Sequence, residues 1–99
     1  MNHGETARLF KALSDPVRVE VLTMLTVEKR CACQLLERFR ITQPTLSHHM
    51  NVLVESGLVV SERRGKWIFY GIDPDAVARM KTYLDDIGTA APACAACGA

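Results

Sequence analysis

Residues 42–72 have the sequence TQPTLSHHMNVLVESGLVVSERRGKWIFYGI and carry two hydrophobic patterns in succession. In the first half, Leu46, Met50 and Leu53 recur at helical spacing, so they form one apolar stripe. Gly57 follows the stripe, and glycine is common just beyond the end of a helix. This half predicts an amphipathic helix that begins near Pro44, ends at Gly57 and turns its stripe toward a core.

The second half of the stretch changes at Leu58 to β-branched and aromatic residues on both sides of Arg64 and Gly65. Such residues favour strands, and a glycine between two such runs favours a tight turn. The pattern therefore predicts a β-hairpin directly after the helix, with basic residues at its tip.

Further helices are predicted on both sides of this stretch. Apolar spacing indicates helices over about residues 5–13 and 16–25, and a short third helix from the first cysteines to about Phe39. Asp73 followed by Pro74 marks the start of a last helix. Two consecutive helices followed by a hairpin have the order of a winged helix-turn-helix. We expect a mainly α fold with about five helices and a two-stranded wing.

The outward face of the helix near residue 44 is polar and uncharged, which suits contacts with DNA bases. A helix of this kind fits the major groove, where short polar side chains read base edges, and basic hairpin residues reach phosphates. The candidate DNA-binding residues are Gln43, Thr45, Ser47 and His48 on the helix and Arg63, Arg64 and Lys66 on the hairpin. His49 lies at the edge of the core face and is interpreted as structural. The basic hairpin taken alone is also typical of an ordinary solvated turn.

Charge is distributed unevenly along the chain. The protein has 99 residues, 48% of them hydrophobic, and a formal net charge of +1, which excludes a multidomain enzyme and leaves the bulk charge uninformative. Residues 29–70 hold seven basic and three acidic side chains, while the remainder is net acidic. A basic middle segment is expected where nucleic acid binds.

The amino terminus lacks the features of a secretory signal, and no run of residues is long and apolar enough for a membrane span. We therefore expect a cytoplasmic protein with no membrane partner. Residues 1–88 are predicted to form one DNA-binding and dimerisation domain, and residues 89–99 a flexible tail that contains two cysteines.

Four cysteines form two close pairs, Cys31 with Cys33 and Cys94 with Cys97. In a reducing compartment such pairs favour metal or metalloid ligation over disulfides. Residues two apart point to different sides of a regular helix, so the first pair is expected to bind one ion only if the helix start is distorted. Two plainer interpretations stay open: the first pair as small buried side chains, and the second as redox-labile bystanders.

The last predicted helix carries a narrow apolar seam. Val77, Met80, Leu84 and Ile87 are spaced three, four and three residues apart, as in helices that pair with each other. In so small a protein the seam predicts a homodimer, with part of the first helix contributing to the interface. The alternative is that the seam packs on the core of its own chain.

Two segments together resemble the ArsR/SmtB family of metal-responsive winged-helix repressors. They are LFKALSDPVRVEVLTML at residues 9–25 and RCACQLLERFRITQPTLSHHMNVLVESGLVVSERRGKWIFYGI at residues 30–72. The resemblance covers roughly residues 5–73. It implies a homodimeric repressor that binds double-stranded operator DNA and leaves it when a thiophilic ion binds.

Within that family the sequence is most similar to the arsenical-responsive repressors, which carry a Cys-x-Cys pair at the start of the third helix. The resemblance implies As(III) or Sb(III) as inducer, bound by Cys31 and Cys33. The third cysteine of the usual pattern is replaced here by Leu36. Because these ions favour three thiolates, the third is expected from Cys94 or Cys97. Residues 74–87 contain no histidine, unlike the zinc sensors of the family.

Alternatives to this function remain at this point. All four thiolates together would suit Cd(II) or Zn(II), and Pb(II) or a methylated arsenical is a further candidate inducer. Two other classes are a small thiol enzyme with Cys31 or Cys94 as nucleophile and a metal-buffering protein. The enzyme is disfavoured because His48 and His49, the bases available, belong to the helix expected on DNA. Storage of metal does not require a winged helix.

Overall fold

A computed structural model describes residues 2–89 and residue 91 of the chain. Its elements in chain order are α1 (His3–Ala12), α2 (Pro16–Leu25), β1 (Arg30–Cys31), α3 (Ala32–Arg38), α4 (Gln43–Glu55), β2 (Val59–Arg64), β3 (Trp67–Ile72) and α5 (Pro74–Gly88). The tail cysteines Cys94 and Cys97 lie outside the described residues. The order confirms the predicted winged helix-turn-helix, in which α3 and α4 are the paired helices and β2 and β3 the wing.

Local capping sets the starts of the helices. The Asp15 carboxylate accepts a hydrogen bond of 2.8 Å from the Val17 backbone at the start of α2, and Asp73 does the same for α5. The Thr42 hydroxyl accepts a hydrogen bond from the Thr45 backbone at the start of α4. A proline in the first turn of each of these helices lacks the N–H that would otherwise need a partner.

The sheet has three strands in the order β1-β3-β2, all antiparallel. In the predicted hairpin Arg64 pairs with Trp67 across a two-residue turn, and Gly65 takes a φ of 63° that favours glycine. Strand β1 is absent from the sequence prediction, because two residues are too few to show an alternating pattern. The two-stranded wing is therefore extended by a third short strand, which pairs Cys31 with Phe69.

One core lies between the helices and the base of the sheet. Its largest fully buried side chains include the predicted stripe of α4, and they are Val21, Leu35, Leu46, Met50, Leu53 and Val59. Helix α4 ends at Glu55, and Gly57 follows with a φ of 87°, as the sequence predicts. Within residues 2–89, none of the helices is long and apolar enough to cross a membrane.

Helix α5 packs against α1, with the rings of Phe10 and Tyr83 at a centroid distance of 5.7 Å. The predicted seam of α5 is divided by this packing. Met80 is only 7% exposed and belongs to the core of its own chain, whereas Leu84 and Ile87 are about half exposed. The first half of the seam thus follows the alternative interpretation, and only the second half is on the surface.

Candidate nucleic-acid interface and thiol pair

The outer face of α4 presents the residues that the sequence predicts to contact DNA. Gln43, Thr45, Ser47 and His48 are all exposed, while the apolar stripe of the same helix is buried. Because the inner face is fixed in the core, the outer face is held in one orientation. It offers hydroxyl, amide and imidazole groups, which are donors and acceptors for base edges.

A buried arginine anchors α4 to the junction between α1 and α2. Arg18 donates from Nε to the Ala12 carbonyl oxygen at 2.9 Å, and its Nη1 lies 2.9 Å from Nδ1 of His49. Arginine only donates, so Nδ1 of His49 accepts and its proton lies on Nε2. The Asp15 carboxylate is 4.0 Å from the same nitrogen. His49 is therefore a hydrogen-bonded structural residue, as predicted from its position.

The carboxylate of this cluster is held in its ionised form. Burial raises the pKa of Asp15, but the backbone hydrogen bonds from Val17 and Arg18 and the positive charge of Arg18 together lower it below its ordinary value. Arg18 is not among the residues predicted from the sequence. Its spacing could have indicated a buried position, because Arg18 lies three residues before Val21 and seven before Leu25, on the buried face of α2.

The wing presents three positively charged side chains, each of which contacts another group of the wing. Arg63 donates from Nε to the Gly65 carbonyl oxygen at 3.2 Å. The guanidinium of Arg64 lies over the Phe69 ring at 5.1 Å, and the ammonium of Lys66 lies over the Trp67 ring at 5.4 Å. All three basic residues are exposed. The wing therefore keeps its positive charge available to phosphate oxygens.

An acidic residue in the outer half of β2 links this strand to the segment before β1. The Glu62 carboxylate lies 3.2 Å from the Arg64 guanidinium and 3.3 Å from the Lys29 ammonium. These two cations lower the pKa of Glu62. The groups are about half exposed, so the contacts are of the kind that salt weakens.

The first cysteine pair lies at the start of α3, where Cys31 precedes the regular helix and Cys33 belongs to it. Cys31 is the N-cap residue, with an extended backbone at φ −81° and ψ 161°, so it lies outside the helix proper. Cys33 is the second residue of the helix. Because Cys31 is extended and precedes the helix, the opposite-sides rule for residues two apart in a regular helix does not apply to this pair.

The interaction of the thiols favours removal of one proton. As a hydrogen-bond partner the Cys33 thiol lowers the pKa of Cys31, with additional help from the backbone N–H groups at the start of α3. The Cys31 group in turn raises the pKa of Cys33. Cys31 is buried and Cys33 is exposed, so Cys33 is the thiol of this pair that solvent reaches.

Cys31 connects α3 to the wing. Its backbone N–H donates to Oε1 of Gln34 in the first turn of α3 at 3.0 Å, and its strand pairs with Phe69 of β3. The backbone of Cys31 thus contacts both α3 and the wing. Over residues 2–89 and residue 91, no cluster of three or more metal-binding side chains is present. The proposed third thiolate, from Cys94 or Cys97, falls outside the described residues.

Comparison with known proteins adds to this geometry. The model of the bacterial regulatory protein family arsR matches residues 15–61. The arsenical resistance operon repressor of Staphylococcus xylosus is 40% identical over 95 residues, which cover 96% of this chain and 91% of that protein. The chain belongs to the ArsR family.

Solved ArsR-type structures have the same architecture. An ArsR-like transcriptional regulator from Rhodococcus sp. RHA1 is 32% identical, with a TM-score of 0.78 over 87% of this chain and 81% of its own. A homodimeric winged helix-turn-helix DNA-binding domain from Mycobacterium bovis is 26% identical, with a TM-score of 0.71 over 86% of this chain and 79% of its own. The ArsR assignment confirms the family resemblance and identifies a transcriptional repressor rather than an enzyme.

Proposed function

We propose that this ArsR-family repressor binds operator DNA as a homodimer and is released when As(III) or Sb(III) binds its thiols. One observation supports the proposal: Cys31 caps α3 while its strand pairs with the wing, and Cys33 follows it within the first turn of the helix. The similarity to a repressor of an arsenical resistance operon supports the choice of ion. A repressor acts where the DNA is, so we place the protein in the cytoplasm.

The DNA complex follows from the exposed faces of α4 and the wing. Gln43, Thr45, Ser47 and His48 enter the major groove, and Arg63, Arg64 and Lys66 contact phosphates. A dimer of this kind reads an inverted repeat whose half-site centres are roughly 34–36 Å, or a multiple of that distance, apart. Footprinting of the operator measures this spacing, and a single unrepeated half-site would contradict it.

The dimer interface is assigned to the exposed half of the α5 seam together with α1. A homodimeric relative of the same fold supports this assignment. Leu84→Asp with Ile87→Asp is expected to give a folded monomer, because both side chains are about half exposed in the protomer. Met80→Asp is the contrasting variant: it buries a charge in the protomer core and is expected to unfold it. Sedimentation velocity and circular dichroism separate the two results, and a Leu84, Ile87 double variant that stays dimeric would overturn the assignment.

The inducer site is completed by the tail. Cys31 and Cys33 supply two thiolates and Cys94 or Cys97 the third, which gives the three-sulfur shell that As(III) and Sb(III) prefer.

The ion must bind the DNA-free form more tightly than the DNA-bound form, because equal affinity for the two forms would not shift the equilibrium between them. A coupling of about 1–3 kcal/mol would lower operator affinity roughly 5- to 150-fold. Cd(II), Pb(II) and Zn(II) remain the alternative ions. Cd(II) and Zn(II) would favour binding by all four thiolates.

A DNA-release titration on the full chain tests the inducer site. Cys31→Ser and Cys33→Ser should each bind operator normally and fail to respond to As(III). The variant with both Cys94→Ser and Cys97→Ser should respond only at higher As(III), with the single tail variants nearly unchanged. X-ray absorption gives the number of sulfur ligands. A tail double variant that keeps three sulfurs and the wild-type response would refute the role of the tail.

A further inference from the structure

His49 joins helix α4 to the junction between α1 and α2 through a contact that depends on a single proton. Its side chain is only 11% exposed, and Nδ1 lies 2.9 Å from Nη1 of Arg18. The guanidinium of Arg18 is fixed in turn, because its Nε donates to the Ala12 carbonyl oxygen at 2.9 Å. Arginine is always charged and only donates, so the contact needs a lone pair on Nδ1 of His49. The contact therefore exists only while Nδ1 carries no proton.

A second partner for the same nitrogen lies just beyond hydrogen-bonding distance. Oδ1 of Asp15 is 4.0 Å from Nδ1 of His49. This carboxylate is ionised near neutral pH, since its pKa lies below the ordinary value. A proton taken from solvent turns Nδ1 into a positively charged donor, which Arg18 repels and Asp15 attracts. A shift of about 1 Å would bring Nδ1 and Oδ1 to the usual length of a hydrogen bond.

The surroundings of His49 leave this exchange to the two partners just named. The ring of His48, the neighbouring residue on α4, is exposed, and the centroids of the two rings are 5.8 Å apart. Strand β2 also packs on α4, but none of its described residues forms a hydrogen bond or an ion pair with His49. Glu20 of α2 pairs with Arg38 instead. Histidine ordinarily titrates between about pH 5 and pH 8, so the exchange is a response to mild acid.

The exchange displaces the face of α4 that is assigned to DNA. His49 has little exposed area, so a shift of its ring moves the helix backbone, and Ser47 and His48 directly precede it on the outer face. Binding residues must be held to within about 0.5 Å of their working positions. We propose that His49 is a positioning residue for operator binding. It holds α4 in the DNA-binding orientation while Nδ1 is unprotonated, and acid transfers its contact from Arg18 to Asp15 and lowers operator affinity.

The direction of the pH effect follows from linkage. Operator binds the unprotonated form more tightly, so binding expels the proton from His49, and affinity falls as pH falls. His48 acts in the opposite direction, because a positive charge on the DNA-facing side attracts phosphates. The test therefore uses chains that carry His48→Gln, in which His49 is the histidine that remains on α4. The inference rests on the DNA-binding part of the proposed function and does not involve the thiols.

Operator affinity of the full chain, measured at about pH 7.5 and about pH 5.5, tests the positioning role. With His48→Gln alone, affinity should fall roughly fivefold or more at the lower pH, which is the size of a weak coupling between sites. Adding His49→Asn places an amide oxygen near the position of Nδ1 that cannot titrate, so this chain should bind well at both pH values. Adding His49→Leu instead fills the space without an acceptor, and this chain should bind weakly at both. Circular dichroism establishes that each chain is folded under both conditions.

Two carboxylates of the same region supply the matched control. Asp15→Asn keeps a capping oxygen but removes the charge that receives the protonated ring, so the fall in affinity should become smaller. Glu20→Gln, whose carboxylate pairs with Arg38, should leave the fall unchanged. A fall that survives in His49→Asn, or the absence of any fall with His48→Gln alone, would overturn the positioning role and leave operator binding and the arsenite response standing. Absence of operator binding at both pH values would instead refute the proposed function, and this inference with it.

Discussion

Helix α4 and the wing are both assigned to DNA, but the protein holds them in very different ways. The inner face of α4 is buried through Leu46, Met50 and Leu53, and Arg18 ties the helix to the α1–α2 junction. In the wing every residue from 60 to 68 is exposed. Beyond its pairing with β2, strand β3 contacts the rest of the chain through the two-residue strand β1 and through α2 and α3.

This difference indicates which part responds to a ligand. Local motion costs least where few apolar contacts are broken, so on the proposed mechanism the wing would move and α4 would stay in place. Cys31 belongs to β1, the strand that attaches the wing. A ligand on the thiols therefore acts on the attachment of the wing and on the start of α3. It need not disturb the core contacts of α4.

The largest effect that tests this comparison is on stability. Leu53→Ala should lower the free energy of unfolding by about 2–5 kcal/mol, because Leu53 is fully buried and its loss leaves a cavity. Ile68→Ala on the wing should cost far less, since this side chain is 40% exposed. Urea unfolding measures both. Similar losses for the two variants would mean that the wing is as firmly packed as α4.

The two adjacent histidines of α4 provide a second test. His49→Ala removes the partner of the buried Arg18 and should cost about 1–3 kcal/mol of stability. His48→Ala, on the exposed side, should leave stability within about 0.5 kcal/mol of the wild type and reduce operator affinity. Thermal unfolding measures the stability of the two variants, and DNA titration measures their operator affinity. The assignment fails if His48 carries the stability and His49 the DNA contact.

Electrostatic binding by the wing gives a smaller effect. Arg63→Ala and Arg64→Ala should each weaken binding to all DNA sequences alike and reduce the salt slope by about 1, because each phosphate contact releases counterions. Thr45→Ala on α4 is the control, and it should alter sequence preference without a change in the slope. A salt slope that stays at the wild-type value in both arginine variants would remove the wing from the interface.

The sequence predicted the parts of the fold that local signals encode. The stripe of α4, the hairpin turn at Gly65 and the proline starts of the helices all correspond to observed elements. Features that depend on distant residues were missed. The pairing of Cys31 with Phe69 joins segments far apart in the chain, and Arg18 meets His49 only after α2 packs on α4. The geometry of the thiols depended on a cap, which the helical spacing of cysteines does not reveal.

The smallest effect compares two ionised carboxylates, one at the anchor of α4 and one in the wing. Asp15 and Glu62 both have a pKa below the ordinary value, so each stabilises the fold at neutral pH and loses that contribution as pH falls through the lowered pKa, below about 4. Asp15 owes part of its pKa shift to the backbone N–H of Val17, whereas Glu62 owes its pKa shift to the exposed Arg64 and Lys29.

Salt near 1 M, with a Debye length of about 3 Å, screens exposed pairs more than a fixed hydrogen bond. Glu62→Gln should therefore reduce the loss of stability at acid pH at low salt only. Asp15→Asn, which keeps a capping oxygen, should reduce this loss at both salt concentrations. Acid unfolding curves at low and high salt measure the effect of each substitution. If high salt removes the effect of Asp15→Asn as fully as that of Glu62→Gln, salt screens the anchor of α4 as strongly as the wing.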